Sequence, residues 1–299
     1  MRVGMAQINS TLGDFTGNRR KIIEYTRRAL EQRCDLVLFP EMTLMGYLPN
    51  DLLERESVVE AQLKEFEHLQ KEIPTGISVI VGLITKNTGR KGQTRQGKPW
   101  KNSAALITKG KTPRFFHKEL LPTYDVFDEA RHIEKGEIAK NFFTFKGQRI
   151  LLTICEDIWG WELPGHPTNY MENPLLALRG ERVDLVLNMS ASPFTLQKAA
   201  DRRKVVVKTA KHFAAPMIYV NMVGGQDEIV FDGGSFAVDA KGATIARSAD
   251  FEEDFNLFDL EALKGGRRSK TSRIIANDSD ERIRRALVLG IRDYARKTG

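Results

Sequence analysis

With 299 residues, 41% of them hydrophobic and 28% charged, the chain has the composition of a folded globular protein with a large core, not of a disordered chain or a membrane protein. Its net charge of +7 would permit nucleic-acid binding, but the basic excess concentrates in two Gly-rich segments, KNTGRKGQTRQGKPWK (86–101) and KGGRRSKTSR (264–273), which are nearly free of stacking aromatics, so no nucleic-acid partner is expected. No apolar run approaches the ~18 residues of a membrane span, the N-terminus lacks the apolar core of a secretory signal, and Cys34 and Cys155 are too few for a disulfide framework; a cytosolic protein with two free thiols and no membrane partner is expected.

In chain order, RVGMAQI reads as a strand and RKIIEYTRRALEQR as an amphipathic helix, followed by the strand CDLVLFPE and the helix SVVEAQLKEFEHLQKEI. SVIVGLI and SAALITKG are strands flanking the hydrophilic stretch 86–101, which reads as an elongated hairpin loop. RILLTICE and VDLVLNMS follow, then the helical LQKAADRRKVVVKTAKHF and the strands PMIYVNMVG and GSFAVD. Several strands are apolar on successive residues, as in sheets covered on both faces, while RVGMAQI and GSFAVD fit antiparallel parts. After the acidic, aromatic FEEDFNLFDLEAL comes the basic break at 264–272, and DSDERIRRALVLGIRDYARKTG then reads as a helix capped by Asp or Ser.

Three residues with chemical potential sit at or just after strand ends, where open α/β folds place working groups: Glu41, Lys118 and Cys155. Singly each has a structural explanation. Together they cover what a cysteine nucleophile needs: a base for its proton, a donor for the oxyanion and a cation to offset nearby carboxylates. A Cys–His pair is less well supported, since His68, His117, His132, His166 and His212 lie in no protease-like context, and neither CxxC nor HExxH is present to suggest a metal site.

FPEMTLMGY, HKELLPTYDVFDEARH and ICEDIW, in that order, resemble the three signature segments of the nitrilase, or carbon-nitrogen hydrolase, superfamily. The resemblance implies an α/β fold of the four-layer αββα sandwich type, with Glu41 as general base, Lys118 as oxyanion stabiliser, Cys155 as nucleophile and Glu129 as an assisting glutamate. NMSASPFTLQKAADR, NMVGGQDEIVFDGGSFAVD and GYLPNDLL are similar to segments of one branch, the glutaminase domains of glutamine-dependent NAD+ synthetases. By that resemblance Tyr124, Phe127, Glu156, Ser192 and Lys198 face L-glutamine. Glu156 suits the substrate's ammonium and Lys198 its carboxylate, although a basic helix face such as LQKAADRRK would by itself be solvated.

The same branch implies residues 1–262 as the glutaminase domain and 263–299 as a basic linker and helix leading towards a synthetase domain. Its SGGxDS phosphate-cradling signature is absent here, which fits either a truncated enzyme or a separate glutaminase subunit; the helical tail, rich in apolar residues that need a packing partner, favours the truncated enzyme. No cofactor is expected for the glutaminase reaction; ATP and Mg2+ would belong to the synthetase domain. Homo-oligomeric assembly, an ammonia tunnel and interface roles for FNLFDLEAL and GGQDEIVFDGG are further implications. The rival readings are an amidase or nitrilase acting on another small amide or nitrile, and a non-catalytic scaffold on the same fold.

Overall fold

The computed structural model of the chain describes residues 1–88, 97–163, 170–264 and 278–298; the centre of the 86–101 segment, most of 264–273 and His166 lie outside them. In chain order the elements are β1 (Arg2–Gln7), α1 (Phe15–Glu31), β2 (Leu36–Leu38), α2 (Glu56–Glu72), β3 (Ser78–Lys86), β4 (Trp100–Thr108), β5 (Arg114–His117), β6 (Phe142–Phe145) and β7 (Gln148–Ile154). They continue with β8 (Leu185–Ser190), α3 (Lys198–Phe213), β9 (Met217–Asn221), β10 (Val223–Gln226), β11 (Ile229–Asp232), β12 (Phe236–Val238), β13 (Thr244–Arg247), β14 (Asp254–Asp259), α4 (Leu260–Lys264) and α5 (Ser279–Thr298). None of the described helices is long and apolar enough to cross a membrane.

Two six-stranded sheets form, in the orders β14-β1-β2-β3-β4-β5 and β13-β12-β9-β8-β7-β6. Each has a parallel centre, β1-β2-β3 in one and β7-β8-β9 in the other, and antiparallel strands outside it. The strand-like RVGMAQI is therefore mixed, parallel to β2 and antiparallel to β14, and GSFAVD is antiparallel on both sides. β3 and β4 pair from Ser78↔Thr108 out to Lys86↔Trp100, making the two strands of a hairpin around the 86–101 segment.

The layers follow from the period of the strands. Val3, Met5, Leu36, Leu38 and Ile80 from the first sheet meet Ile150, Leu152, Leu185, Leu187 and Ile218 from the second in one buried cluster between the sheets. The alternate residues Val37, Val79 and Val81 face outward and are covered by Ile22, Tyr25 and Ala29 of α1 and Phe66 and Leu69 of α2. On the far side Leu151, Val186, Met217 and Tyr219 are covered by Val205, Val206, Ala210 and Phe213 of α3. Both sheets are thus buried on both faces, which explains why their central strands read as continuous apolar runs, and the architecture is the αββα sandwich.

Local chemistry sets the helix limits. Asp14 caps α1 by accepting from the Gly17 N–H at 2.9 Å, and Asp278 does the same for α5 at the N–H groups of Asp280 and Glu281. The helix α3 stops where Ala214 turns left-handed at φ 48°.

At the end of β5, His117 is enclosed: its Nδ1 is 2.8 Å from the Ser103 hydroxyl, and its backbone exchanges hydrogen bonds with the Asn141 side chain. Burial, aided by Lys101 and Lys140, pushes its pKa down from 6.5 to about 4. The unfolded chain then binds the extra proton first, so the folded state is favoured above about pH 6.5 and loses up to roughly 3 kcal/mol as pH falls towards about 4. Urea unfolding at about pH 7 and about pH 4.5 should show a smaller acid loss in His117→Gln than in the parent protein; equal losses would contradict the assignment.

Candidate active site

The first sheet delivers two charged groups to one place. After β2 the chain turns through Phe39 and Pro40 to Glu41, and after β5 it reaches Lys118; both side chains are fully buried. Lys118 Nζ donates to Glu41 Oε1 at 2.8 Å and to Glu129 Oε1 at 2.7 Å, so one ammonium bridges two carboxylates. Asn102 Nδ2, on β4, donates to Glu41 Oε1 at 2.7 Å and reaches Glu129 Oε2 at 3.3 Å. Glu129 Oε1 also accepts from the Tyr47 hydroxyl at 2.9 Å, and Glu41 Oε2 accepts from the Ala191 N–H at 3.0 Å. Burial pulls the Lys118 pKa down, but Glu129 and Glu41 outweigh it and hold the ammonium well above its ordinary value. Burial and Glu41 raise the pKa of Glu129, against the pull of Lys118.

Close approach here depends on glycine. A Cβ on Gly82 of β3 would lie 2.3 Å from the Met42 nitrogen and 2.8 Å from the Glu41 carbonyl carbon, so only glycine lets the Glu41 turn fold onto the sheet. Gly136 plays the same part beside Lys118: a Cβ there would meet the His117 oxygen at 2.5 Å, and its N–H donates to the Lys118 oxygen at 2.6 Å.

From the second sheet comes Cys155, the first residue of a single helical turn, Cys155–Ile158, that follows β7 directly. Its φ of +41° is the left-handed conformation that non-glycine residues avoid, which turns the thiol off the strand axis. It is 5% exposed, and burial, then Glu41, push its pKa well above the ordinary thiol value, with Lys118 opposing and Glu156 and Glu129 adding to the rise.

The next two carboxylates have different surroundings. Glu156 Oε1 accepts from the Tyr124 hydroxyl at 2.7 Å; burial raises its pKa, against the pull of Tyr124, Lys118 and Lys198. Asp157 points the other way. Its Oδ1 accepts from the N–H groups of Glu119 and Leu120 at 2.9 and 3.0 Å and its Oδ2 from Ile154 at 2.8 Å, so one side chain ties the segment after Lys118 to the residue before Cys155.

The other sequence-derived positions surround this centre. Phe127 packs between the rings of Tyr124 and Tyr47, at 5.7 and 6.4 Å. Ser192 follows β8 and is held at its N–H by Asn221 Oδ1, at 2.9 Å. Lys198 opens α3 with its Nζ 4.1 Å from the centre of the Trp159 ring, and its pKa is lowered by burial, against the pull of Glu156. This lysine of the basic helix face is therefore half-buried against an aromatic ring instead of fully solvated. Glu129, likewise, is buried against Lys118 and Tyr47 and does not pair at the surface with Arg131, which instead meets Glu54. Among the described residues no group of three or more His, Cys, Asp or Glu is arranged to hold a metal ion.

A family model described as carbon-nitrogen hydrolase matches residues 2–262. The chain belongs to that family. It is similar to a glutamine-dependent NAD(+) synthetase of Synechocystis sp., with 40% identity over 99% of this chain and 53% of the relative. Among solved structures it is similar to a glutamine-dependent NAD+ synthetase from Acinetobacter baumannii, with a TM-score of 0.83, 30% identity and coverage of 100% of this chain and 52% of that one. An amidase of Nesterenkonia AN1 from the nitrilase superfamily shares the fold, with a TM-score of 0.67 at 20% identity, covering 86% of this chain and 89% of that one. The chain spans about half the length of the curated synthetases it matches.

In this carbon-nitrogen hydrolase the residues that sequence reasoning missed are Asn102, Tyr47 and the bracing role of Asp157. The signal for Asn102 was a lone amide inside the apolar strand WKNSAALIT, since a buried amide needs partners. Asp157→Asn would set an NH2 group against at least one backbone N–H, leaving buried donors unpaired, and should cost about 2 kcal/mol. Urea denaturation checks this; an unchanged midpoint would show that the brace contributes nothing.

Proposed function

We propose that this chain hydrolyses L-glutamine to glutamate and ammonia, and that the ammonia serves a synthetase unit amidating deamido-NAD+. The observation that carries the reading is a pair of opposite charges near the thiol: buried Glu156, next to Cys155 in the chain, and half-buried Lys198, held against the Trp159 ring, each acting electrostatically on the other. A free amino acid presents an ammonium and a carboxylate together, which a simple nitrile or aliphatic amide does not. Relatives called glutamine-dependent NAD+ synthetases support the choice of glutamine.

The proposed chemistry uses side chains and water alone. As the Cys155 sulfur attacks the side-chain amide carbon, its proton passes to Glu41, the carbon–sulfur bond forms, and the amide oxygen gains charge that Lys118 stabilises. Glu41 returns that proton to the amide nitrogen, the carbon–nitrogen bond breaks, and ammonia leaves a glutamyl thioester. Water then attacks the thioester carbon while Glu41 takes its proton. The carbon–sulfur bond breaks, and the sulfur regains the proton. Glu129 holds Lys118 in place; ATP and Mg2+ would act only in the synthetase unit, and the assembly would be homo-oligomeric.

Purified protein should release glutamate and ammonia from glutamine in equal amounts, and rapid acid quenching should yield protein bearing a glutamyl adduct detectable by mass. Cys155→Ala should abolish both and keep its circular dichroism spectrum. Wild-type-like turnover in Cys155→Ala would overturn the mechanism. Turnover of another small amide with neither turnover nor adduct from glutamine would overturn the substrate assignment.

A further inference from the structure

The helix α5 does not stand off from the rest of the molecule. Leu289 and Ala286 pack with Val223 and Val230 of the β10–β11 hairpin and with Phe194 and Phe251 from other segments. Further along, Asp293 Oδ2 accepts from the Gly225 N–H at 2.8 Å and from Asn9 Nδ2 at 2.6 Å, and Lys297 Nζ donates to the oxygens of Ser10 and Gly225.

Near the start of the helix lies Arg282, only 5% exposed, with its guanidinium against the touching rings of Phe194 and Phe251. Its Nη2 donates to Asp232 Oδ2 at 3.0 Å, and its Nη1 is 3.7 Å from Asp250 Oδ2. The other oxygen of Asp232 accepts from Arg202 Nη1 at 2.6 Å. Arg202 then spends its remaining donors on one short segment: Nε to Ser192 Oγ at 3.1 Å, and Nη2 to the backbone oxygens of Ser192 and Pro193, both at 2.8 Å. Arg202 is also one helical turn from Lys198 on α3.

We infer that Arg282 is a positioning residue for the substrate pocket, acting through Asp232 and Arg202 to set the geometry of Ser192 and Pro193 and hence the affinity for glutamine. The claim rests on the proposed glutaminase reading. Its physical basis is the single carboxylate of Asp232, one oxygen given to each arginine in a buried setting where neither cation can turn to water. Without Arg282, Asp232 has one cation left and no fixed position along its side, so Arg202 loses the anchor that aims its fork at the Ser192 segment. Neither Arg282 nor Asp232 bonds to Glu41, Lys118 or Cys155, so the chemical step should be spared.

The test compares wild type, Arg282→Met, Arg282→Lys and the packing control Leu289→Ala, measuring kcat and KM for glutamine and amide hydrogen exchange in the peptide containing Ser192. In Arg282→Met, KM should rise about tenfold with kcat within about twofold, and exchange at the Ser192 peptide should quicken. Arg282→Lys, which keeps the charge, should recover most of the loss, and Leu289→Ala should leave KM within about twofold of wild type. A folded Arg282→Met with wild-type KM would overturn the relay, as would a KM rise in Leu289→Ala equal to that in Arg282→Met. If Arg282→Met does not fold, Arg282→Gln takes its place: a KM rise above about threefold without loss of kcat supports the relay, and a wild-type KM overturns it. Wild-type turnover of glutamine, read first, judges the functional reading separately from the relay.

Discussion

The site depends on one buried ammonium shared by two buried carboxylates. Lys118 lies between Glu41 and Glu129 at ordinary charge-assisted distances, with none of the three exposed to water. Removing Lys118 would leave two buried carboxylates without their cation, in a medium where the penalty is several kcal/mol per ion. That mutual requirement explains the supporting donors, since Asn102, Tyr47 and the Ala191 N–H satisfy carboxylate oxygens that Lys118 alone cannot. It also explains why Cys155 tolerates carboxylates around it: the nearest cation is already committed to them, and the thiol is kept protonated instead of being drawn into a resting thiolate.

The fold makes this arrangement possible by joining strand ends from both sheets. Glu41 follows β2 and Lys118 follows β5, while Cys155 and Ala191 follow β7 and β8 of the other sheet. Sheet-to-sheet packing of Val3, Leu38, Leu152 and Leu187 therefore sets the distance between Glu41 and Cys155, and the local devices refine it. Gly82 admits the Glu41 turn, the left-handed Cys155 aims the sulfur, and Asp157 ties the Lys118 segment to the Cys155 segment across the sheets. Strain at Cys155 is sustained because its neighbours on both sides are hydrogen-bonded or buried.

Much of this was legible in the sequence. Continuous apolar runs marked doubly covered strands, and the glutamate, lysine and cysteine each stood at a strand end inside a distinctive segment. What escaped was what depends on partners far apart in the chain. The Arg202–Asp232–Arg282 relay joins residues separated by 30 and 50 positions, and nothing in a local pattern pairs them. Period and capping identified α5 as a helix, but not its docking on β10–β11, because that face is chosen by Phe194 and Phe251 from other segments. Lys198 looked like one more cation on a basic helix, and its half-burial depends in part on the Trp159 ring, brought to it by the turn after β7.

The central claim is that Cys155 rests as a thiol and yields its proton to Glu41 only as it attacks. The direct measurement is the rate of Cys155 alkylation by iodoacetamide as a function of pH, made in a Cys34→Ser background so that a single thiol is followed. With the thiol held above its ordinary value by burial and by Glu41, the rate should keep climbing through about pH 9 without a plateau. A plateau already reached below about pH 7 would reveal a resting thiolate and contradict the account.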